Sequence, residues 1–301
     1  MRVVYGHTDS IYVQMPMERA DEILALLNVH VREKFPNLLG LKEHPVTLEF
    51  EKYYKTLGVG VTKNRNAGLI TWKDGKTLEE PEFVMTGFAA KRVAITTLAK
   101  TIQLEVLNRW VNENSEENIT SYLKTHYNRV LNGDIEMDEI TNRSRYRPER
   151  FIYKCNDCSK EYNVKDAIIR HKEFTTSFCG KCGSELVLKT LEGKQPSIGS
   201  GVEGVVWWNQ TYPIPIDDSY FYVRVQDDPL RPKYINPITG MHKRPTYLAA
   251  PSKEQMPNHV PDYRHYSDSI IKKAEPIYNA MGWDIKPIRN DVNQTNLEEW
   301  W

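Results

Sequence analysis

The stretch Val3-Val4-Tyr5-Gly6-His7-Thr8-Asp9-Ser10-Ile11-Tyr12-Val13 decides how the rest of the chain is read. Two short β-rich runs, residues 3–5 and 11–13, flank a polar segment, the pattern of a hairpin with polar residues at its tip. A carboxylate at such a tip, here Asp9, is held rigidly while it projects into a cleft, which suits a hard divalent cation such as magnesium. Phosphoryl transfer uses that arrangement, because two metal ions about 4 Å apart activate the attacking oxygen and stabilise the leaving one. An aspartate that merely stabilises its own turn gives the same local pattern, so the tip alone leaves both readings open.

Outward from the hairpin, Ala20, Ile23, Leu24, Leu27 and Val31 recur at helical spacing until Pro36 stops the pattern. Strand-like runs follow at 46–54, 57–62 and 69–72, with Lys73-Asp74-Gly75-Lys76 as a turn. This βαββ succession predicts an open sheet backed by helices, an α+β arrangement. From Gly87 the period becomes helical: Ile95, Leu98, Ala99, Ile102, Val106 and Trp110 share one face. A second helix carries Ile119, Tyr122, Leu123, Tyr127, Val130 and Leu131 and closes at Asn132-Gly133. Residues 202–208 read as a strand, and 217–260, rich in proline, aspartate and arginine, reads as mostly irregular. A last helix over 267–281 shows Ile270, Ile271, Ala274, Ile277, Tyr278 and Met281 at helical spacing.

The 301 residues carry 40 basic and 40 acidic side chains, so net charge gives no sign of a nucleic-acid binder. Any such contact rests on local clusters: 63–65, the group Arg143, Arg145, Arg147 and Arg150, and 170–172. Runs of like charge also serve simply as solvated faces. No run approaches the roughly 20 apolar residues of a membrane helix, and the N-terminus lacks the pattern of a cleaved leader. The expectation is a cytoplasmic, nucleoid-associated chain with no membrane partner.

Cys155, Cys158, Cys179 and Cys182 form two C-x2-C pairs, the spacing of a tetrahedral structural zinc site. Four thiolates leave no open coordination position, so the zinc is structural rather than catalytic. Gly180 and Gly183 suit the tight turns in which backbone N–H groups point at sulfur, and His171 is a bystander. The insert is too short for a large core, so bound metal supplies much of its stability. Its lysines and arginines, Lys154, Lys160, Arg170, Lys172 and Lys181, fit a contact with DNA, RNA or protein, and an architectural brace accounts for the insert equally well.

The hairpin string closely resembles the Tyr-Gly-Asp-Thr-Asp-Ser motif, motif C, of archaeal-type family B DNA polymerases. Leu48-Glu49-Phe50-Glu51-Lys52-Tyr53-Tyr54 is similar to the palm strand that follows in that family. Residues 62–69 resemble its Lys-Lys-Arg-Tyr-Ala-Gly-Leu element, and 86–92 its Gly-Phe-Glu-Ala-Val-Arg element at the start of the thumb. Asp262-Tyr263-Arg264-His265-Tyr266 is similar to its closing Asp-Tyr-x-Tyr-Tyr segment. The resemblance implies an α+β fold: a partial polymerase palm of antiparallel sheet backed by helices, then a mostly helical thumb containing the zinc ribbon. The implied boundaries are 1–86 for the C-terminal half of the palm, 87–150 and 191–301 for the thumb, and 151–190 for the ribbon.

Carried over by position, the resemblance makes Asp9 the palm carboxylate that binds both magnesium ions. His7 occupies the first acidic position of the motif, where a neutral imidazole cannot match a carboxylate's charge on magnesium, so reduced or altered activity is implied. Glu51 falls where the family has a further palm acid; it also reads as a surface residue paired with Lys52 or Lys55. Thr8 and Ser10 flank the motif acid as DNA-contact candidates. Lys63 and Arg65 are candidates for duplex phosphates, joined by Arg92, Arg145 and Arg147. Asn64 and Asn66 replace the family's second lysine and its tyrosine, which implies a weaker grip near the primer end.

The family's earlier palm aspartate motif, its fingers helix and its exonuclease acids have no counterpart in the sequence. The chain therefore looks like the small chain of a split polymerase or a fragment of one. A second polypeptide or chain portion then supplies exonuclease, fingers and first palm aspartate, and primer-template DNA and dNTP are the expected ligands. The competing expectation is a catalytically decayed scaffold that binds nucleic acid or replication proteins through thumb and zinc ribbon.

Overall fold

The computed structural model describes residues 2–7, 9–60, 65–88, 95–147, 151–162, 178–190 and 198–289. Lys63, Arg92 and His171, and the Glu298-Trp301 tail, lie outside them, as do Thr8 and the side chain of His7. The chain divides into two compact units, one of residues 1–89, 103–122 and 274–287, the other of 90–102, 123–273 and 288–301.

The first unit opens with the expected hairpin, β1 (Arg2–His7) and β2 (Ser10–Gln14), paired antiparallel from Arg2 with Gln14 to His7 with Ser10. Helix α1 (Ala20–Lys34) follows, burying Ala20 and Ile23, with Arg32 and Lys34 in its last turn where cations offset the helix dipole. Residues 46–51 do not form the expected strand. Asn28 on α1 explains the difference: its amide N–H donates to the Leu48 carbonyl (2.9 Å) and its carbonyl accepts the Leu48 N–H (2.8 Å). With its backbone satisfied by a helix side chain, this segment needs no strand partner. The sheet begins at β3 (Lys52–Val59) and continues through β4 (Asn66–Lys73) and β5 (Lys76–Thr86) as a three-stranded antiparallel meander. The hairpin forms its own two-stranded sheet, so the single open sheet expected from the sequence is two sheets. Asp74 and Gly75, both at positive φ (51° and 80°), make the two-residue turn between β4 and β5.

Helices α2 (Thr97–Asn112) and α3 (Glu116–Leu131) fall where the periodicity puts them. Thr96 Oγ1 accepts the Ala99 N–H and Ser115 Oγ accepts the Asn118 N–H, the N-cap bonds that start each helix. Trp110 of α2 lies against Gly58 of β3, where a Cβ would overlap the indole ring. In the same unit Thr120 on α3 and Tyr278 share a hydroxyl hydrogen bond of 2.6 Å.

The second unit contains a short helical turn, α4 (Met137–Ile140), and β6 (Asn142–Arg145). The cysteine-bearing strands β7 (Phe151–Cys155), β8 (Glu161–Tyr162) and β9 (Leu186–Thr190) form a sheet with β7 in the centre. Residues 200–211 are helix α5 (Ser200–Thr211), not a strand. A short continuous apolar run is compatible with either form, and here burial is all-round: Gly201, Gly204, Val205, Val206, Trp207 and Trp208 are all buried. Both indoles donate to backbone carbonyls, Trp207 to Pro232 (3.0 Å) and Trp208 to Ile214 (2.8 Å).

The stretch expected to be irregular contains β10 (Ser219–Arg224), the two-residue strands β11 (Tyr234–Ile235) and β12 (His242–Lys243), and β13 (Tyr247–Ala250). β10 is the centre of a sheet ordered β13-β10-β6. Its partners lie far away in sequence, so no local hairpin signal announces it. Helix α6 (Tyr263–Met281) begins under the cap of Asp262, whose Oδ1 accepts the His265 N–H at 3.0 Å. No helix among the described residues is long and apolar enough to cross a membrane.

Gly204 faces the backbone of β13, and a Cβ there would lie 2.7 Å from the Ala249 nitrogen. Because the neighbour is backbone, relief requires the helix to move. Gly204→Ala is therefore expected to destabilise the chain by about 1–3 kcal/mol, read as a lower urea midpoint at unchanged slope.

Candidate functional site

At the hairpin, Asp9 is exposed in the turn and directly precedes the first residue of β2. A bulge between Val3 and Tyr5 adds twist to β1, and beyond it Tyr5 pairs with Tyr12, ring centroids 5.4 Å apart. Tyr12 in turn meets Tyr54 of β3 at 5.9 Å. Burial, with Tyr12 beside it, pushes the Tyr54 phenol up to about 12, so it stays neutral and serves as packing. Tyr53 adds a hydroxyl bond to the Met15 carbonyl, 3.3 Å. These contacts hold the hairpin against β3.

The other expected acid, Glu51, is 65% exposed, immediately before β3, with its carboxylate on Lys52 at 2.7 Å. Ser10 opens β2 half-buried. Arg65 directly precedes β4, and its carbonyl accepts the Gly60 N–H at 2.6 Å. Arg145 and Arg147 belong to the second unit; both are exposed, and Arg145 pairs with Asp218 at 3.0 Å. Arg143, from the same cluster, lies over the Phe221 ring at 5.7 Å.

The cysteines do come together. Their four sulfurs lie within 4.8 Å of one another, with Cys155 to Cys182 at 3.4 Å and Cys158 to Cys179 at 3.5 Å. None of the four forms a disulfide. Zinc–sulfur bonds of about 2.3 Å put tetrahedral sulfurs about 3.8 Å apart, so this soft, all-sulfur set fits zinc.

Two turns with the same hydrogen-bond frame build the cluster. The Cys155 N–H donates to the Lys160 carbonyl and the Ser159 N–H to the Cys155 carbonyl, at 2.9 and 3.1 Å. Cys179 repeats the pattern with Ser184 and Gly183 at 2.7 and 2.8 Å. The fifth residue of each frame is left-handed, Ser159 at φ 57° and Gly183 at φ 76°. Gly183 thus has the role expected of it. Gly180 has another, donating its N–H to the Tyr162 hydroxyl at 3.0 Å.

Tyr162 and Ser184 are the participants that spacing did not reveal. The Tyr162 hydroxyl is 3.2 Å from the Cys179 sulfur and draws that thiol down to about 6; Ser184, 3.5 Å from the Cys182 sulfur, holds that thiol below its usual range. The faint signal was an aromatic hydroxyl residue shortly after one knuckle and a serine shortly after the other.

The sequence profile described as DNA polymerase family B matches residues 1–169, more than half of the chain. A DNA polymerase of Archaeoglobus fulgidus is 28% identical over 142 residues, 46% of this chain and 15% of that protein. The solved family B DNA polymerase from the hyperthermophilic archaeon Pyrobaculum calidifontis aligns over 94% of this chain and 27% of its own, with a TM-score of 0.52 at 16% identity. At that identity the structural likeness speaks for the fold alone. The chain spans 15% and 27% of the lengths of these two relatives.

The two glycines of the second knuckle should differ sharply on substitution. Gly183→Ala places a side chain in the left-handed region and should cost about 1–2 kcal/mol. A Cβ at Gly180 meets only the Tyr162 hydroxyl at 3.8 Å, an ordinary contact, so Gly180→Ala should change the unfolding midpoint little. Chemical denaturation of the two variants side by side checks the contrast.

Proposed function

Because the chain belongs to DNA polymerase family B, we propose that it supplies the C-terminal half of a polymerase palm and the thumb for template-directed nucleotidyl transfer. Residues 1–86 are the palm portion, 87–150 and 191–301 the thumb, and 151–190 the zinc ribbon. The observation that carries this reading is Asp9, an exposed carboxylate in a tight turn whose base is packed by Tyr5, Tyr12 and Tyr54, within the segment that matches the family.

Asp9 offers a hard oxygen donor of the kind magnesium prefers, and when bound the metal supplies positive charge to the reacting phosphate oxygens. Glu51, engaged by Lys52, is the second acid of this half. Two carboxylates, one of them engaged by Lys52, do not make a two-metal site. The reading therefore requires a second polypeptide or further chain portion with the first palm aspartate, the fingers and the exonuclease. Exposed apolar side chains in the first unit support that requirement: Val3, Val4 and Ile11 on the hairpin, Leu26 and Val29 on α1, and Leu38 at 89% exposure. Arg65, Lys63 and Arg92 are the phosphate contacts of this scheme, with Arg145 and Arg147 on the thumb. Thr8 and Ser10 flank the metal ligand. Zinc at the four cysteines braces the ribbon and supplies no open position for chemistry.

His7 favours a second reading, a polymerase-derived scaffold that binds nucleic acid or replication proteins without catalysing transfer. Primer extension with magnesium, dNTP and a companion polypeptide bearing the missing elements separates the two. Extension that needs both polypeptides and falls at least about a thousand-fold in Asp9→Ala, a loss of about 4 kcal/mol of transition-state stabilisation, is the expected outcome. A stable DNA-bound complex that never extends the primer would establish the scaffold. Metal analysis of the purified chain should give one zinc, lost in the double variant Cys155→Ser/Cys182→Ser.

A further inference from the structure

A zinc ion with four thiolates carries a net charge of −2, and such a centre needs donors around its sulfurs to hold that charge. Cys179 is approached by the Lys181 backbone N–H at 3.4 Å and by the Tyr162 hydroxyl at 3.2 Å. The direction of the second bond is fixed by what else the hydroxyl does. Its oxygen already accepts the Gly180 N–H at 3.0 Å, so the hydroxyl proton is free to point at the sulfur. The residue is anchored on the side of the first knuckle. Tyr162 pairs with Tyr153 on the central strand that leads into Cys155, and Lys160 Nζ lies 5.1 Å from the ring centroid. Tyr162 therefore reaches from the strand beside the first knuckle to a sulfur and an N–H of the second.

We propose that Tyr162 is a positioning residue of the cysteine centre: its hydroxyl donates to the Cys179 sulfur, withdraws charge from it and locks the second knuckle in its metal-binding shape. This rests on the zinc reading above, and it goes further by naming a non-ligand side chain on which the strength of that site depends. Ser184 Oγ lies 3.5 Å from the Cys182 sulfur.

The test uses the full chain with cobalt(II) as a spectroscopic stand-in, followed by zinc competition. Wild type should show a four-thiolate cobalt spectrum with one metal per chain. Tyr162→Phe should keep that stoichiometry while its sulfur-to-cobalt charge-transfer band moves to lower energy, because the sulfur is more electron-rich. Its zinc affinity should fall about 10-fold or more. Incorporating 3-fluorotyrosine in place of Tyr162, a stronger donor of the same shape, should move the band the opposite way even if the phenylalanine variant folds poorly. A band that stays put in both substitutions would overturn the role of Tyr162 and leave the zinc site standing. Absence of any four-thiolate spectrum in wild type would overturn the zinc reading, and this inference with it.

Discussion

Much of the second unit hangs on the carboxylate of Asp262. One oxygen accepts Arg224 Nε at 2.8 Å and the other accepts the His265 N–H, while the Asp262 N–H donates to the Arg224 carbonyl at 3.1 Å. The Arg224 N–H then finds the Tyr266 hydroxyl at 2.7 Å. A strand end and a helix start are thus fastened by four hydrogen bonds, two of them to a partly buried charge, the stronger kind. β10 is the middle strand of its sheet, so fixing its end fixes both neighbours, including β6 with Arg145. Tyr263 completes the junction by packing over Gly133, whose left-handed backbone ends α3. The closing segment, picked out in the sequence only by resemblance, has a structural task that its residues explain individually.

The two candidate centres contrast in how they are built. At the cysteine centre one short ribbon brings all its donors together, and its geometry is complete within the second unit. At the hairpin the chain offers one exposed acid, Asp9, while Glu51, just before β3, is an exposed acid in an ion pair with Lys52. Family membership rests on the matched first half of the chain, whereas the alignment to a solved polymerase extends over nearly all of it.

Legibility in the sequence followed the range of the interactions. α1, α2, α3 and α6 declared themselves because burial on one helical face leaves a periodic trace, and the hairpins because glycine and aspartate mark turns. The cysteine centre was readable from spacing because its ligands come as two local pairs. What failed was long-range. Segment 46–51 is claimed by Asn28, twenty positions before Leu48, and β10 finds its partners in β6 and β13. In α5 a run of valines and tryptophans buried on every side erased the periodicity that would have separated helix from strand. Tyr162 reaches its sulfur across the ribbon, a relation that no spacing rule expresses.

The bulge in β1 bears on how this hairpin tolerates change of length. By absorbing an extra residue between Val3 and Tyr5, it separates the register of the hairpin's open end from that of its tip. From Tyr5 to Tyr12 the pairing is regular, and the paired tyrosines act as its zero mark. A residue gained or lost before Val4 can be taken up by shifting the bulge, with Asp9 left where it was. The same change between Tyr5 and Tyr12 would turn every following side chain to the opposite face. The carboxylate's address is therefore counted from the tyrosine pair and is indifferent to where the polypeptide starts.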